Sequence, residues 1–253
     1  MSLPPDGKLN IVMPMAGLGS RFRDAGYKVP KPLIDVQGRP MYACATESLP
    51  LAKSTRLIFI LLASQPECPA LTRDIQERYA RFNPIILTVP ELTAGQAITV
   101  LRAKDFINNE EPVLIHNADT AFEADPSWVA KAWRENVAGA LLVFHSDEKR
   151  WSYSREDAAG LVVEVREKEV ISPWASTGTY WFRKGADFVR LTEARLQAGR
   201  REAAEYYVGP LYNDLIASGG KIKNFPIQKL FCFGTPEDLQ ATLRALNAIN
   251  PTR

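Results

Sequence analysis

The sequence is poor in the side chains that form disulfides or bind zinc. Its 253 residues include three cysteines and two histidines. Cys44, Cys68 and Cys232 are scattered, and neither His116 nor His145 lies at a spacing typical of zinc ligands. A disulfide-stabilised scaffold and a zinc module are therefore excluded, and a reducing, cytoplasmic location is expected.

Runs of like charge and long apolar runs are also absent from the sequence. The 31 basic and 29 acidic residues are interspersed and leave a net charge of +2. Nucleic acid is not an expected partner, because chains that bind it concentrate basic charge. No apolar run approaches the ~18 residues that a membrane helix requires, and no secretory signal is recognisable, so no membrane association is expected.

Apolar segments typical of buried strands alternate with segments typical of helices. A nearly continuous apolar run indicates a parallel strand that is covered on both faces. The alternation predicts a doubly wound, mostly parallel, Rossmann-like α/β sheet, with ligands at the carboxyl ends of its strands. The predicted strands are 9–15, 57–63, 85–89, 112–116, 138–144 and 222–226, and the main predicted helices are 40–48, 70–82, 97–106 and 186–198.

One domain is expected over residues 1–253, because the chain is too short for two large α/β domains. Residues 1–8, which are rich in proline and glycine, are expected to be a frayed leader. The alternation weakens between 147 and 182, which predicts shorter antiparallel strands over one end of the sheet. The expected parts are a core (9–145), a small antiparallel subregion (146–185), and C-terminal helices with a closing strand (186–253).

The stretch from Met13 to Phe22 has the composition of a phosphate-binding loop after the first strand. Gly17 and Gly19 let backbone N–H groups approach an anion closely. Ser20 is expected to cap the helix that follows, so that the positive end of the helix dipole is directed at the anion.

Two basic residues strengthen this interpretation. Arg21 offers a fork of donors suited to phosphate oxygens, and Lys31 is a compact charge between two prolines that stiffen its backbone. A P-loop is excluded because no Gly-Lys pair has the required context, and a dinucleotide fingerprint would need glycine where Phe22 stands. A free nucleoside triphosphate is the expected ligand; the alternative is an ordinary turn with a surface arginine and lysine.

Later strands are followed by further candidates. Gln96, in the small loop that also contains Thr93 and Gly95, carries a donor and an acceptor with which to bind a base edge. The alternative is a helix N-cap formed by Thr93. Asp119 follows the fourth strand, where a carboxylate suits Mg²⁺, although an aspartate there is also a common turn former. His116 is expected to be a hydrogen-bonded strand residue rather than a catalytic base.

The segment Ala16-Gly17-Leu18-Gly19-Ser20-Arg21-Phe22, with Pro30-Lys31-Pro32-Leu33, resembles the signature of the sugar-phosphate nucleotidyltransferases. This group includes glucose-1-phosphate thymidylyltransferase, and its members join a nucleoside triphosphate to a phosphorylated small molecule with release of pyrophosphate. The resemblance implies the nucleotide-diphospho-sugar transferase fold. It also implies that Arg21 and Lys31 are the cationic catalytic pair and that Ala16, Gly17, Gly19 and Ser20 bind the nucleotide.

The resemblance extends from Ile11 to Leu239 and implies roles for later segments. The segment 117–119 resembles an Asn/Gly-x-Asp metal motif, which makes Asp119 a catalytic Mg²⁺ ligand and adds Asn117 to the nucleotide site. The family's base-binding loop corresponds to Thr93, Gly95 and Gln96. Its acceptor contacts correspond to Glu167, Lys168 and Thr179, so 9–145 becomes the nucleotide-binding core and 146–185 the acceptor-side subregion.

The chain departs from the family pattern at two positions. Glu169 replaces the usual proline after Lys168, and Cys232 stands where many relatives carry an aspartate that is a second metal ligand. A neutral thiol is a poor Mg²⁺ ligand. Either Asp119 holds the metal together with water and phosphate oxygens, or the site has lost its activity. Short stand-alone relatives associated with capsule and surface-polysaccharide synthesis share this departure, which favours an active, Mg²⁺-dependent enzyme of that branch.

Three functions remain open at this stage. The favoured one is a nucleotidyltransferase that uses a pyrimidine triphosphate, as Gln96 suggests, and a sugar 1-phosphate or another small phosphomonoester. A GT-A-type glycosyltransferase using a nucleotide sugar would typically show Asp-x-Asp, whereas this chain has Asn117-Ala118-Asp119. A catalytically inactive nucleotide-binding regulatory protein is favoured by Cys232 alone. A homo-oligomer is compatible with the sequence, which does not specify an oligomeric state.

Overall fold

The structure, a computed structural model, describes residues 8–202 and 204–249. The expected leader lies outside these residues, apart from Lys8. The strands of the described part are β1 (Leu9–Met15), β2 (Asp35–Val36), β3 (Arg39–Pro40), β4 (Thr55–Leu62), β5 (Ile85–Val89), β6 (Val113–His116), β7 (Thr120–Glu123), β8 (Gly139–His145), β9 (Ser152–Glu156), β10 (Val162–Glu167), β11 (Trp174–Phe182), β12 (Ile222–Pro226) and β13 (Lys229–Cys232).

Short and medium-length helices connect the strands. They are α1 (Ser20–Asp24), α2 (Met41–Glu47), α3 (Cys68–Arg78), α4 (Gln96–Leu101), α5 (Lys104–Ile107), α6 (Trp128–Arg134), α7 (Gly185–Gln197), α8 (Leu211–Ala217) and α9 (Pro236–Ile249). No helix within the described ranges has the length and apolar character that crossing a bilayer requires.

One nine-stranded sheet organises the described part of the chain. Its main path runs β10-β9-β11-β6-β1-β4-β5, and β8 joins β11 to β12. β1 pairs in parallel with β4 and β6, and β4 pairs in parallel with β5. The expected α/β class with a large, mostly parallel sheet is confirmed. The carboxyl ends of β1 and β6 lie side by side, which brings the segments after Met15 and His116 to one edge.

The apolar sequence of the central strands follows from burial on both faces. Val12 and Ile58 pack in a hydrophobic cluster on one face, whereas Ile11 and Phe59 pack in a cluster on the other. A third cluster, which includes Phe22, Met41 and Phe233, lies where α1, α2 and α9 meet beside β7 and β13. Burial of these side chains stabilises the segments that carry Lys31 and Asp119.

The region after residue 146 differs from the expected arrangement. β9, β10 and β11 are antiparallel, as predicted for residues 147–182, but β11 lies inside the main sheet, paired with β6 and β8, rather than over one end of it. β7 and β13 form a separate antiparallel pair that the sequence pattern did not predict. Both strands have only four residues, too few for a clear period of alternation.

Candidate active site

The phosphate loop (residues 16–21) leaves β1 and enters α1. Gly19 has a φ of 59° and caps α1, and its carbonyl accepts the Phe22 N–H at 3.1 Å. Ser20 is therefore the first helical residue and makes no side-chain capping bond, so its expected role as a cap was wrong. Ala16 is buried behind the loop, whereas Gly17 is exposed and accepts a hydrogen bond from Gln65 Nε2 at 3.0 Å.

Lys31 and Asp119 form an ion pair at the centre of the site. Lys31 Nζ lies 2.6 Å from Asp119 Oδ2, and it also donates to the carbonyl of Gly234 at 3.1 Å. The ammonium lies 5.3 Å from the centre of the Phe22 ring. Lys31 is 20% exposed and Asp119 30%, so both groups are accessible from solvent while their positions are fixed.

The cavity beside this pair, which we call the nucleotide cavity, has a volume of about 320 Å³. This volume lies within the range of small-molecule sites. Six of the residues expected to bind nucleotide or catalyse the reaction contribute to its wall, namely Gly17, Gly19, Lys31, Gln96, Asn117 and Asp119.

Hydrogen bonds hold Asn117 at the carboxyl end of β6. Its Oδ1 accepts a hydrogen bond from Gln96 Nε2 at 2.6 Å, and its backbone N–H donates to the carbonyl of Gly178 at 3.2 Å. The Gln96 amide therefore has one donor engaged, while its oxygen remains an acceptor available to a base edge. Gln96 and Asn117 thus form one polar wall of the nucleotide cavity.

His116 and Thr179 fix the start of the Asn117–Asp119 turn from inside the sheet. The Nε2 of His116 donates to the carbonyl of Thr120 at 2.7 Å, so its Nδ1 accepts from the Thr179 hydroxyl at 2.8 Å. Burial lowers the pKa of His116 to about 4, which keeps the ring neutral. His116 has its expected structural place. Thr179 is fully buried and its hydroxyl is engaged, a position that does not bring the side chain to an acceptor.

The loop expected to receive a base is tied to a distant segment. The Tyr206 N–H donates to the carbonyl of Ala94 at 2.9 Å, and Ala97 N–H donates to the carbonyl of Tyr206 at 2.9 Å. Gly95 has a φ of 129°, and a Cβ there would lie 2.6 Å from the Tyr206 nitrogen, so glycine is required.

Thr93 lies at the start of this loop, with its hydroxyl facing the protein. The hydroxyl donates to the carbonyl of Gly95 at 3.0 Å and lies 2.6 Å from the Thr99 hydroxyl. Gly95, rather than Thr93, caps α4, so the alternative of a threonine cap was wrong. Thr93 and Gly95 shape the loop, whereas Gln96 contributes to the cavity wall.

A second cavity of about 270 Å³, the acceptor cavity, adjoins the first. Asn117 and Asp119 line both cavities. Glu167 and Lys168 line the acceptor cavity, as expected from the sequence, and Thr179 does not, although its neighbours Gly178 and Tyr180 do. The structure therefore brings Glu167, Lys168 and Asp119 to one cavity.

Lys168 is held by a residue that the sequence did not assign. Its Nζ donates to the Tyr207 hydroxyl at 3.0 Å and lies 5.2 Å from the centre of that ring. The hydrogen bond to Tyr207 raises the pKa of Lys168. Two other tyrosines lie within five residues of Tyr207 in the sequence, Tyr206 and Tyr212, and both belong to the hydrophobic core.

Two arginines line the acceptor cavity. Arg21 faces this cavity, not the nucleotide cavity. Arg150 Nη1 donates to both carboxylate oxygens of Asp238 at 2.8 Å, and its guanidinium lies 4.4 Å from the centre of the Trp151 ring. The Arg150–Asp238 pair connects the segment before β9 to the start of α9. The sequence did not predict it, because its partners are 88 residues apart.

Cys232 lies in the wall of the acceptor cavity with Asp119. Burial raises the pKa of its thiol to about 12, so the sulfur is a neutral thiol at physiological pH. Within residues 8–202 and 204–249, no three His, Cys, Asp or Glu side chains are grouped to hold a metal ion. Asp119 is the carboxylate that lines both cavities.

Glu167 provides a test of the electrostatics of the acceptor cavity. Burial raises its pKa to about 7 from an ordinary 4.5. Between these values the folded protein binds a proton that the unfolded chain does not, so stability falls as pH rises toward 7. We expect Glu167→Gln to be nearly neutral for stability at pH 5 and stabilising by about 1–2 kcal/mol at pH 8.

Urea unfolding of both proteins at pH 5, 6, 7 and 8 measures this difference. Glu164→Gln is the matched control, because hydrogen bonds from Arg155 and Arg166 lower the pKa of Glu164. Its stabilising contribution is already complete at pH 6, so the control should be destabilising by the same amount from pH 6 to pH 8. A stability difference for Glu167→Gln that does not change between pH 5 and pH 8 would contradict the assignment.

Comparison with known families decides the classification. The model of a family described as nucleotidyl transferase matches residues 10–208. The chain belongs to the nucleotidyl transferase family. The resemblance indicated by the phosphate loop is therefore confirmed at the level of the family. No curated protein matches the chain in sequence.

Solved structures of similar fold accompany the family match. A nucleoside-diphosphate-sugar pyrophosphorylase from Vibrio cholerae RC9 is 28% identical, with a TM-score of 0.82 over 92% of this chain and 99% of that one. A protein described as a glucose-1-phosphate thymidylyltransferase from Bacillus anthracis is 18% identical, with a TM-score of 0.78 over 97% and 98%. The inositol-1-phosphate CTP transferase from T. maritima is 16% identical, with a TM-score of 0.69 over 93% and 96%. At these low identities, the last two comparisons show a shared fold and no more.

Proposed function

We propose that this nucleotidyltransferase joins a nucleoside triphosphate to a small phosphorylated acceptor and releases pyrophosphate. One observation carries the proposal: Asn117 and Asp119 line both cavities, and Lys31 pairs with Asp119 where the cavities meet. An α-phosphorus held there is open to attack from the acceptor cavity. A phosphate monoester needs no protein base, because it is already anionic near neutral pH, its second pKa being about 6.

In the proposed reaction, a phosphate oxygen of the acceptor forms a bond to the α-phosphorus. The bond from that phosphorus to the bridging oxygen breaks, and pyrophosphate leaves with the electron pair. Lys31 binds the α-phosphate, Lys168 binds the acceptor phosphate, and Glu167 contacts the acceptor body. Catalysis then depends on positioning and charge neutralisation. Because Arg21 faces the acceptor cavity, we assign it to the phosphates that meet there rather than to the departing pyrophosphate.

We propose Mg²⁺ as the cofactor, delivered with the triphosphate and held by Asp119. A single carboxylate fits this mode, since Mg²⁺ is commonly bound by one or two carboxylates together with substrate phosphates. Bound there, it would neutralise charge on the phosphate oxygens. The neutral thiol of Cys232 does not fit as a second ligand. Lys31, paired with Asp119 at 2.6 Å before substrate binds, must exchange this partner for phosphate oxygens.

The finer assignments also belong to the proposal. Gln96 and the narrow loop around Gly95 favour a pyrimidine triphosphate such as CTP, UTP or dTTP. The acceptor is a sugar 1-phosphate or another small phosphomonoester, and the product is a precursor for surface or capsule polysaccharide made in the cytoplasm. We propose no nucleic acid or membrane partner, and a homo-oligomer is compatible with the fold.

Pyrophosphate release tests the proposed function. The enzyme is assayed with Mg²⁺ against CTP, UTP, dTTP, ATP and GTP, each combined with sugar 1-phosphates and small phosphomonoesters. Release that requires one triphosphate and one acceptor together is the expected result. Cleavage of a nucleotide sugar without pyrophosphate release would instead support the glycosyltransferase.

The regulatory alternative predicts triphosphate binding without release. In that case Cys232→Asp separates the explanations, because a restored carboxylate beside Asp119 supplies a second oxygen ligand. Release in the variant alone would indicate a site disabled by the cysteine. If neither protein released pyrophosphate although both bound the triphosphate, the proposed activity would be contradicted for that panel of acceptors.

Tyr207 provides a test of the acceptor side. Tyr207→Phe removes the hydroxyl that accepts from Lys168 Nζ at 3.0 Å, but keeps the ring beneath the ammonium. We expect the KM for the acceptor to rise only about 5-fold, because this hydrogen bond is solvent-exposed. The KM for the triphosphate should stay within about 2-fold, because Lys168 does not line the nucleotide cavity. Tyr207→Ala, which also removes the ring, should raise the acceptor KM further. Equal changes in both KM values would contradict the assignment of Lys168 to the acceptor.

A further inference from the structure

The carbonyl of Gly234 is the backbone group that contacts the Lys31 ammonium. In the proposed reaction this ammonium exchanges Asp119 for phosphate oxygens. Within residues 8–202 and 204–249, the Gly234 carbonyl is then the hydrogen-bond acceptor that the protein still offers to Lys31. Glycine has more backbone freedom than any other residue. The position of the ammonium during the reaction therefore depends on what holds the peptide of Gly234.

Backbone contacts fix the residue before Gly234. The Phe233 N–H donates to the carbonyl of Asp119 at 2.8 Å, directly after the β7–β13 ladder, which ends at the pair Thr120–Cys232. The ring of Phe233 is buried in the third hydrophobic cluster. The sheet pair and the core thus hold this side of the glycine, together with the backbone of Asp119.

The side chain of Asp238 holds the residue after Gly234. The Thr235 N–H donates to Asp238 Oδ2 at 3.1 Å, and the Asp238 N–H donates to Thr235 Oγ1 at 3.2 Å. This reciprocal pair, at the start of α9, has the pattern of a capping box. A Cβ at Gly234 would lie 3.4 Å from the same Oδ2, so the carboxylate lies against the glycine. Asp238 therefore fixes the second side of Gly234.

Arg150 in turn fixes Asp238. Its Nη1 donates to both oxygens of the Asp238 carboxylate at 2.8 Å, and this carboxylate is only 14% exposed. The Arg150 guanidinium lies over the ring of Trp151, which meets Phe144 of β8 edge to face at 5.2 Å between ring centres. A continuous series of contacts therefore runs from the main sheet through Arg150 and Asp238 to the turn before α9.

We infer that Arg150 is a positioning residue, which sets the Lys31 ammonium through Asp238 and the Gly234 carbonyl. The inference rests on the proposed function, which places Lys31 on the α-phosphate. Asp119 does not need this support, because the β7–β13 ladder already holds its backbone. Arg150 also lines the acceptor cavity, so a direct contact with the acceptor is the rival role. The two roles predict different kinetics.

Steady-state pyrophosphate release by Arg150→Met distinguishes them. We expect kcat to fall ~10- to 100-fold, because displacement of a catalytic group by about 1 Å costs on the order of 10²-fold, while the acceptor KM stays within about 3-fold. Arg150→Lys should recover part of the loss, since its ammonium can still donate to Asp238. Arg155→Met is the matched control, because Arg155 pairs with Glu164 outside the walls of both cavities, and it should retain kcat within about 2-fold. A raised acceptor KM with unchanged kcat would overturn the inference.

A double-mutant cycle with Lys31 tests the route by which Arg150 acts. If Arg150 acts through Lys31, Arg150→Met should lower kcat by less than about 2-fold further in the Lys31→Met protein. Losses that multiply in the double variant would show independent action and would overturn the inference. Thermal melts of every variant exclude unfolding as the cause of a lower kcat.

Amide hydrogen exchange, followed by NMR, tests the geometry without turnover. In Arg150→Met we expect the Thr235 N–H to exchange about 10-fold faster than in the wild type, because its acceptor Asp238 has lost its anchor. The Phe233 N–H should keep its wild-type rate. Unchanged exchange at Thr235 would overturn the inference. Failure of the proposed function is recognised separately, because the wild type would then release no pyrophosphate, whereas the exchange rates would still show whether Arg150 holds the turn.

Discussion

Replacement of Lys31 by methionine should lower kcat/KM for pyrophosphate release by about 10²- to 10³-fold, with the fold intact. Methionine keeps the length of the side chain and removes the charge that the proposed reaction places on the α-phosphate. Loss of one preorganised charge contact in a transition state costs about 3–4 kcal/mol. The Gly234 carbonyl accepts a hydrogen bond from the Lys31 ammonium at 3.1 Å, so one contact still positions the charge after phosphate oxygens replace Asp119 as its partner.

The stability cost of the same change should be small. Both members of the Lys31–Asp119 pair are partly exposed, and exposed pairs contribute about 0–1 kcal/mol. Steady-state pyrophosphate release and a thermal melt, measured on the same preparations, separate the two effects. Lys53→Met, at an exposed loop position, is the matched control and should retain full activity. Undiminished turnover in Lys31→Met would remove Lys31 from the catalytic role.

The sequence predicted the elements that are long or uniformly apolar. β1 and β5 have the predicted bounds. β1 is buried along almost its whole length, whereas β5 is only partly buried, but four of its five residues are apolar. β2 and β3 are joined by a turn at Gln37-Gly38, and both residues have positive φ values, of 51° and 83°. The helix expected over 97–106 is instead divided into α4 and α5, a break that no glycine or proline marks.

The candidate site was predictable where a local motif carries the chemistry. Gly17, Gly19, Lys31, Gln96, Asn117 and Asp119 were expected together, and they line one cavity. The cavity that a side chain faces was not predictable, because it depends on the rotation of α1 and on packing against α9. Arg21, for example, lines the acceptor cavity and not the nucleotide cavity. The contact between Tyr207 and Lys168 was not predicted, because the two residues are 39 positions apart in the sequence.

The position of β11 shows how topology changes the interpretation of a motif. In a strand that covered only one end of the sheet, one face would be open, and the Thr179 side chain could then reach an acceptor. In the structure β11 is an interior strand paired with β6, so Thr179 bonds to His116 and supports the turn that carries Asp119. The same residue therefore supports the Asn117–Asp119 turn and does not line the acceptor cavity. The role of Thr179 therefore depends on the order of the strands in the sheet, which no local sequence pattern specifies.

Substitution of Gly19 by alanine should lower kcat ~10²-fold, although it adds only a methyl group. Gly19 has a φ of 59°, and a Cβ there would lie 2.9 Å from the Cβ of Lys31. That contact is near the backbone of Lys31, where rotation of the side chain cannot relieve it. A displacement of a catalytic group by about 1 Å costs on the order of 10²-fold in rate. The left-handed backbone adds a stability cost of about 1 kcal/mol.

Gly17→Ala is the control, because it adds the same methyl group two residues earlier in the loop. Among the residues that the structure describes, no atom would lie within 4 Å of a Cβ at Gly17, and the φ of Gly17 lies outside the left-handed region. We therefore expect Gly17→Ala to retain kcat within about 3-fold, since the catalytic groups are not displaced. Measurement of kcat and of the melting temperature for both variants tests the contact between Gly19 and Lys31. Equal losses in the two variants would mean that the loop needs glycine for its approach to the nucleotide. A loss confined to Gly19→Ala would mean that the loop acts by setting the position of the lysine.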